Sequence, residues 1–342
     1  MLAALRQQYA PHLAELDHVM SGELARWRNV DIERLWSLTD AQLQRRGKQL
    51  RPLLSFMMAD YLGGEPASAI PAAASVEFYH MASLILDDVQ DHAEVRRGEP
   101  TVNVSVGAST AVNMALFVRS LSYHVVHQAT VQDAVQRLFI HQELDHAATH
   151  LILGQSIDIG WHEKWYESYR EFPYLRMIEG KSGALFGCAA AAGACAVKAS
   201  PGDVNAARDY GVSFGVLYQM VDDYLDAFGE VGVLHRPQFE DFREGKMTAP
   251  VIRLLSALHD DGHEEEEAHV LAGLAGRDPQ AGGWGWLLEL MRVHDIAGRM
   301  IKEISERASF LAESAVFSGH GASAGCLAGL VKFIAASAGG RE

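Results

Sequence analysis

The sequence predicts an all-α fold. Apolar residues recur at three- and four-residue intervals almost throughout, the period of one face of an α-helix. Strand-like alternation is almost absent. The breaks fall at short Gly- and Pro-rich turns. In chain order, the spacing predicts helices over 2–27, 49–62, 69–90, 108–128, 131–158, 165–180, 182–196, 202–228, 248–259, 284–317 and 324–337. Pro52 suits the first turn of the second. Gly63-Gly64-Glu65-Pro66 separates the second from the third, and Arg97-Gly98-Glu99-Pro100 the third from the fourth. Ser200-Pro201-Gly202 and Ala281-Gly282-Gly283 mark later turns. The run Gly183 to Val197 is short for a membrane span and rich in Ala and Gly, which predicts a tightly packed core helix. The acidic stretch Asp260 to Glu267 reads as a solvated connection between helices.

Bulk properties narrow the function. The chain has 342 residues, 49% of them hydrophobic, ample for a large core. Length alone allows about two domains, but no linker divides the chain, so a single domain over 1–342 is expected. A net charge of −15 without a basic stripe argues against nucleic-acid binding. Cys188, Cys195 and Cys326 form no disulfide framework and no zinc spacing. The start of the chain lacks a signal-peptide pattern. No transmembrane segment and a reducing, cytoplasmic setting are expected.

Two aspartate pentads stand about 135 residues apart: Asp87-Asp88-Val89-Gln90-Asp91 and Asp222-Asp223-Tyr224-Leu225-Asp226. Each ends an apolar helical stretch. Residues i and i+4 share a helix face, so Asp87 and Asp91 point the same way. Crowded carboxylates raise one another's pKa unless a cation neutralises them, and a helix C-terminus is itself electronegative. Hard oxygen ligands suit Mg²⁺, which readily shares its shell with phosphates. The pair predicts a jaw for a diphosphate–magnesium complex.

Basic residues flank the pentads. Lys48 and Arg51 lie one turn apart in Arg46-Gly47-Lys48-Gln49-Leu50-Arg51-Pro52, near a helix start that favours anions. His80 lies two turns before Asp87, and Arg96-Arg97 follow the first pentad. Near the second, Lys181-Ser182-Gly183 opens a helix, Gln219 lies one turn before Asp223, and Lys246 closes the segment from Asp241. Gln155 and Asp158 end another long helix. Separate basic and metal-bearing halves point to two diphosphates bound side by side.

These segments resemble the trans-isoprenyl diphosphate synthases, the polyprenyl synthetase family, over residues 40–335. The match rests on GKQLRP (47–52), His80 before DDVQD (87–91), RRGEPTVN (96–103), GQSID (154–158), KSG (181–183), YQMVDDYLD (218–226) and DFREGKMTAP (241–250). The resemblance implies a bundle of long helices around a deep central cavity, usually a homodimer. It implies an Mg²⁺-dependent prenyltransferase that joins isopentenyl diphosphate to an allylic diphosphate, with about three Mg²⁺ ions. Asp87, Asp88, Asp91 and Asp222 would hold the metal, and Asp223 and Asp226 would complete the second site, partly through water. Arg96, Lys181 and Lys246 would contact the allylic diphosphate. Lys48, Arg51, His80 and Arg97 would bind isopentenyl diphosphate. Gln219 and Ser182 would line the carbocation. A cyclase-like lyase and a non-catalytic partner subunit are the alternatives.

The chain departs from the family pattern at Leu86, Arg46, Ala115-Leu116, Ser182, Arg236-Pro237 and the tail, reduced to Arg341. Product length in this family is read along the helix before the first pentad. Ala82 and Ser83 are small where short-chain enzymes tend to place an aromatic. Tyr79 and Phe78 follow one turn deeper, about 5.4 Å on. The expectation is a floor at Tyr79 or Phe78 and a product of geranylgeranyl or geranylfarnesyl length; the alternative is that these aromatics pack elsewhere and Ala82 opens a tunnel for longer chains.

Overall fold

Prolines mark where several helices begin. Pro11, Pro71 and Pro250 each stand within the first two residues of a helix, and Pro201 opens another, where a missing N–H costs no hydrogen bond. A computed structural model describes residues 1–28, 32–45, 47–170, 172–229, 238–276, 284–314 and 324–338. Arg46, Arg236-Pro237, the turn at 281–283 and Arg341 lie outside the described residues. The helices in order are α1 (Leu2–Gln8), α2 (Ala10–Ala25), α3 (Glu33–Gln44), α4 (Leu50–Tyr61), α5 (Ile70–Gln90), α6 (Val102–Val106), α7 (Ala108–His127), α8 (Ala134–His162), α9 (Tyr174–Ile178), α10 (Ala184–Ala196) and α11 (Pro201–Phe228). Further helices span Glu240–Arg243, Ala249–Asp260, Glu264–Leu274, Gly285–Val293, Ile296–Ser314 and Ala324–Ala338. The fold is all-α. Among the described residues the strands are β1 (Val95–Arg96) and β2 (Glu99–Pro100), paired antiparallel.

Several boundaries correct the sequence reading. The acidic connection is confined to residues 261–263, exposed between two helices; Glu264 to Glu267 are instead the first turn of the helix Glu264–Leu274. That is where the helix dipole favours negative charge. Residues 284–317 do not form one helix: Asp295 adopts a φ of 50° between the helices Gly285–Val293 and Ile296–Ser314. The stretch 165–180 is helical only from Tyr174, and α3 was not anticipated. Lys181 and Ser182 do not open α10 but lie in a π-helical turn, Glu179–Gly183, between α9 and α10.

Contacts group the chain into two units, each built from discontinuous stretches. The first comprises 1–148, 185–211 and 316–327. Within it α5 packs most extensively against α7 and also meets α2 and α4. The stretch Pro66–Gln90 is long and apolar enough to cross a membrane, yet most of it is buried inside the protein, as in a core helix. The expected core helix is α10, whose Cys188 and Cys195 are buried. Burial pushes the Cys188 thiol up and that of Cys195 to about 12, so both remain unreactive thiols. The small side chains of α10 admit α4 closely enough for Ser55 Oγ to donate to Ala189 O at 2.7 Å. The second unit comprises 149–184, 212–315 and 328–342. Leu254, Leu255 and Leu258 are fully buried there, as is the Met300–Ile304 stripe at helical spacing.

Candidate active site

The first pentad ends α5. Asp91 caps the helix, its N–H bonding to Asp87 O. The chain then turns back through the β1–β2 hairpin, where Arg97 and Gly98 both have positive φ, as a two-residue hairpin turn favours. Thr101 Oγ1 and Asn103 Nδ2 both donate to Ala93 O, at 2.7 and 3.0 Å. The RRGEPTVN segment is thus tied to the end of α5. The tie brings Arg96 back onto the pentad: Nε donates to Asp88 Oδ1 at 2.5 Å and Nη2 to Asp87 Oδ2 at 3.0 Å. Burial is the largest influence on Asp88 and lifts its carboxyl above the ordinary range. Arg96 pulls the other way, and Asp87 and Asp91 add to the lift. One guanidinium does not offset three crowded carboxylates, so the donor set fits a hard cation. Among the described residues, no three His, Cys, Asp or Glu side chains already stand at metal-holding geometry.

The GKQLRP segment builds a basic surface. Gln49 takes a left-handed φ of 53° immediately before α4. Arg6 braces this turn, donating to Gln49 Oε1 at 3.2 Å and to Lys48 O at 3.3 Å, and the Lys48 side chain is exposed. Gly47 lets the end of the Arg97 side chain lie close: a Cβ there would fall 2.6 Å from Arg97 Nη2, which would have to shift. Arg97 Nη1 in turn donates to Arg45 O at 2.8 Å. Arg51 lies over the Phe186 ring, 4.3 Å from its centroid, and meets His80 Nε2 at 3.1 Å. Arginine can only donate, so Nε2 accepts and His80 carries its proton on Nδ1. The structure therefore brings Arg51, His80 and Arg97 into one neighbourhood.

Part of His80 meets solvent, but the protein packed around the ring strips it of most of its water. That desolvation, then Arg51, Arg97 and Arg96, holds its pKa well below the ordinary value. A folded-state pKa below the unfolded one stabilises the protein fully above about pH 6.5, and the benefit is lost as pH falls below it. Between pH 7.5 and 5.5 the protein should lose about 1 kcal/mol more stability than its His80→Gln variant. Urea unfolding at both pH values checks this; equal losses would show a ring that protonates freely in the folded state.

The second pentad occupies the last two turns of α11. Asp222 keeps partial exposure, while Asp223 and Asp226 are buried. Asp223 is held on every side: Oδ2 accepts from Tyr174 Oη at 2.7 Å and from Ala249 N–H at 3.0 Å, and Oδ1 accepts from Gln219 Nε2 at 2.8 Å. Gln219 Oε1 then accepts from Ser182 Oγ at 2.6 Å. The Gln219 amide is therefore fixed in orientation, and Asp223 does the fixing. Tyr174 was not anticipated as part of this site; its only sequence signal was an aromatic seven residues before Lys181.

Lys181 Nζ lies 2.6 Å from Asp158 Oδ2 on α8. The π turn that carries Lys181 and Ser182 runs against α8 without side chains between: a Cβ on Gly154 would fall 2.4 Å from Lys181 N, and one on Gly180 the same distance from His150 O. This explains both the Gly of GQSID and the glycine before Lys181. The DFREGK segment is anchored by buried Phe242, which packs edge-on against Trp284, and by Trp161 Nε1 donating to Gly245 O at 3.1 Å. Lys246 Nζ sits 2.6 Å from Glu244 Oε2 and 4.0 Å from Asp241 Oδ1. Burial and then the charge of Asp226 push the Asp241 carboxyl well above its ordinary value, against the pull of Lys246. This crowding, too, would be relieved by a cation.

Of the chain-length positions, Phe78, Tyr79 and Ala82 are buried. Ser83 is partly exposed, its hydroxyl bonded to His80 O at 2.9 Å. Ala115 is buried and Leu116 exposed.

Residues 33–281 match the family model for polyprenyl synthetase. The geranylgeranyl diphosphate synthase of Saccharolobus solfataricus is 30% identical over 251 residues, 73% of this chain and 74% of that protein. The geranylfarnesyl diphosphate synthase of Aeropyrum pernix is 35% identical over 212 residues, 60% of this chain and 65% of that protein. Among solved structures, the decaprenyl diphosphate synthase from Rhodobacter capsulatus superposes with a TM-score of 0.86 at 24% identity, covering 100% of both chains.

Proposed function

From the premise that this chain belongs to the polyprenyl synthetase family, as a chain-elongating prenyltransferase, we propose that it condenses isopentenyl diphosphate with an allylic diphosphate under Mg²⁺ to a linear all-trans product of geranylgeranyl or geranylfarnesyl length. The observation that carries this is a basic group at each acidic cluster: Arg96 on Asp87 and Asp88, and Lys246 4.0 Å from Asp241, whose carboxyl feels the charge of Asp226. Asp87, Asp88, Asp91, Asp222 and Asp226 supply the oxygens that would hold the metal, which when bound stabilises the departing diphosphate's charge.

Each remaining role falls to a residue of this chain. Arg96, Lys181 and Lys246 bind the allylic diphosphate, and Lys48, Arg51, Arg97 and neutral His80 bind isopentenyl diphosphate. As the allylic C–O bond breaks, positive charge develops on carbon. The Gln219 amide, fixed by Asp223 and Ser182, presents its dipole to that charge without reorganising. The isopentenyl double bond attacks, and the proton lost in forming the new double bond passes to the released diphosphate. The complete isopentenyl-binding set argues against a cyclase, which has no second substrate to hold. Two intact pentads argue against a non-catalytic subunit.

Small Ala82 and Ser83 above buried Tyr79 support the longer products. Exposed apolar Leu116 on α7 and Val135, Leu138 and Phe139 on α8 support a homodimer; sedimentation should give twice the 37.4 kDa chain mass, and a monomer would refute it. The deciding experiment incubates the purified protein with Mg²⁺, isopentenyl diphosphate and each of dimethylallyl, geranyl and farnesyl diphosphate. Mass spectrometry should show a ladder ending at one linear diphosphate, abolished by a chelator. A hydrocarbon formed from an allylic substrate alone would overturn the reading.

A further inference from the structure

Tyr79 does not stand alone beneath Ala82. Arg119, on α7, places its guanidinium carbon 5.7 Å from the centroid of the Tyr79 ring and 5.8 Å from that of Tyr123. Tyr123 is fixed in turn: its hydroxyl donates to Asp145 Oδ1 at 2.7 Å, and its ring stacks on His141 at 5.7 Å and 9°. Among the described residues no carboxylate forms an ion pair with Arg119. Burial works against its charged form, yet Tyr79 and then Tyr123 hold its pKa above the ordinary value. The guanidinium is therefore held between two tyrosines, over their rings and by their hydroxyls.

We propose that Arg119 is a positioning residue for product length, clamping the Tyr79 ring across the path of the growing chain. The proposal rests on the reading of Tyr79 as the floor. A tail longer by one isoprene unit must move the ring aside, and a buried aromatic turns aside cheaply only when nothing holds it. Here the move breaks the contact with Arg119. Arg119 thus resists elongation by bracing the ring. The brace requires a cation at this position, not bulk alone.

The experiment compares product ladders of the whole enzyme by mass spectrometry, with Mg²⁺, isopentenyl diphosphate and farnesyl diphosphate. Arg119→Leu should raise the ratio of the next longer product to the original end product at least tenfold. Arg119→Lys should restore most of the original ratio, which a purely packing role would not. Tyr79→Ala should lengthen the product, and adding Arg119→Leu to it should change nothing further. If Tyr79→Ala lengthens the product and Arg119→Leu does not, the clamp is wrong and the floor stands. If neither does, the floor itself is wrong, and the clamp falls with it. Should Arg119→Leu fail to fold, Arg119→Gln reads the same ratio with a neutral polar end.

Discussion

Asp222→Asn should lower kcat about 10³-fold, the scale of losing a charge-stabilising group from a preorganised site, and leave folding stability nearly unchanged. Asp222 keeps partial exposure at the end of α11, where a carboxylate can meet a ligand from solvent. Its neighbour makes the contrast. Asp223 accepts three hydrogen bonds from protein donors. In Asp223→Asn, one oxygen becomes an NH₂ group that must face donors: either Gln219, or Tyr174 and Ala249. A charged, buried acceptor lost in this way costs about 2–3 kcal/mol. Asp222→Asn should therefore be a stable, slow enzyme, and Asp223→Asn a destabilised one with a misoriented Gln219. Steady-state rates at saturating substrates and thermal unfolding of both variants decide it. A loss below tenfold for Asp222→Asn, or a melting shift as large as that of Asp223→Asn, would remove Asp222 from the role of ligand.

Lys181→Ala should cost activity and stability together, and the two losses can be separated. The ion pair with Asp158 is 2.6 Å long, with side-chain exposures of 25% and 7%. Removing the lysine leaves a nearly buried carboxylate without its counter-charge, at a cost of about 2–3 kcal/mol after allowance for the exposed end. In the proposed function Lys181 also binds the allylic diphosphate, so kcat/KM for that substrate should fall about 10²- to 10³-fold. Adding Asp158→Ala removes the stranded charge. The double variant should melt close to the original protein and remain as inactive as Lys181→Ala. Recovery of activity along with stability would mean that Lys181 only holds α8 and never meets the substrate.

Short motifs made most of this site readable in advance. Asp87 and Asp91 announce themselves because charge at the end of an apolar run is costly unless it is used, and Lys48 and Arg51 because a helix start favours anions. The helices around them follow from periodicity alone. Tyr174 and Arg119 were invisible for the opposite reason: each acts through one partner far away in the chain, Asp223 and Tyr79, and no local pattern encodes such a pair. The glutamates of the helix Glu264–Leu274 read as a solvated connection by charge alone; at a helix start the same charge is favourable. The bend at Asp295 and the unwound stretch before Tyr174 interrupt apolar spacing that itself continues, so periodicity carried the expected helices through them.

The π-helical turn at Glu179–Gly183 has a consequence for how this site can change. A π turn is an α-helix that has taken in one extra residue. Deleting that residue would leave a regular helix, so the altered chain could still fold locally. Everything beyond the deletion would, however, turn by about 100° about the helix axis. Lys181 could then no longer face Asp158 while Ser182 faces Gln219. Side-chain substitutions at these positions can be explored one at a time, but the spacing between α9 and α10 cannot drift by single steps. A related sequence that closes this gap by one residue must have rebuilt the contacts to Asp158 and Gln219 from other residues, or lost them.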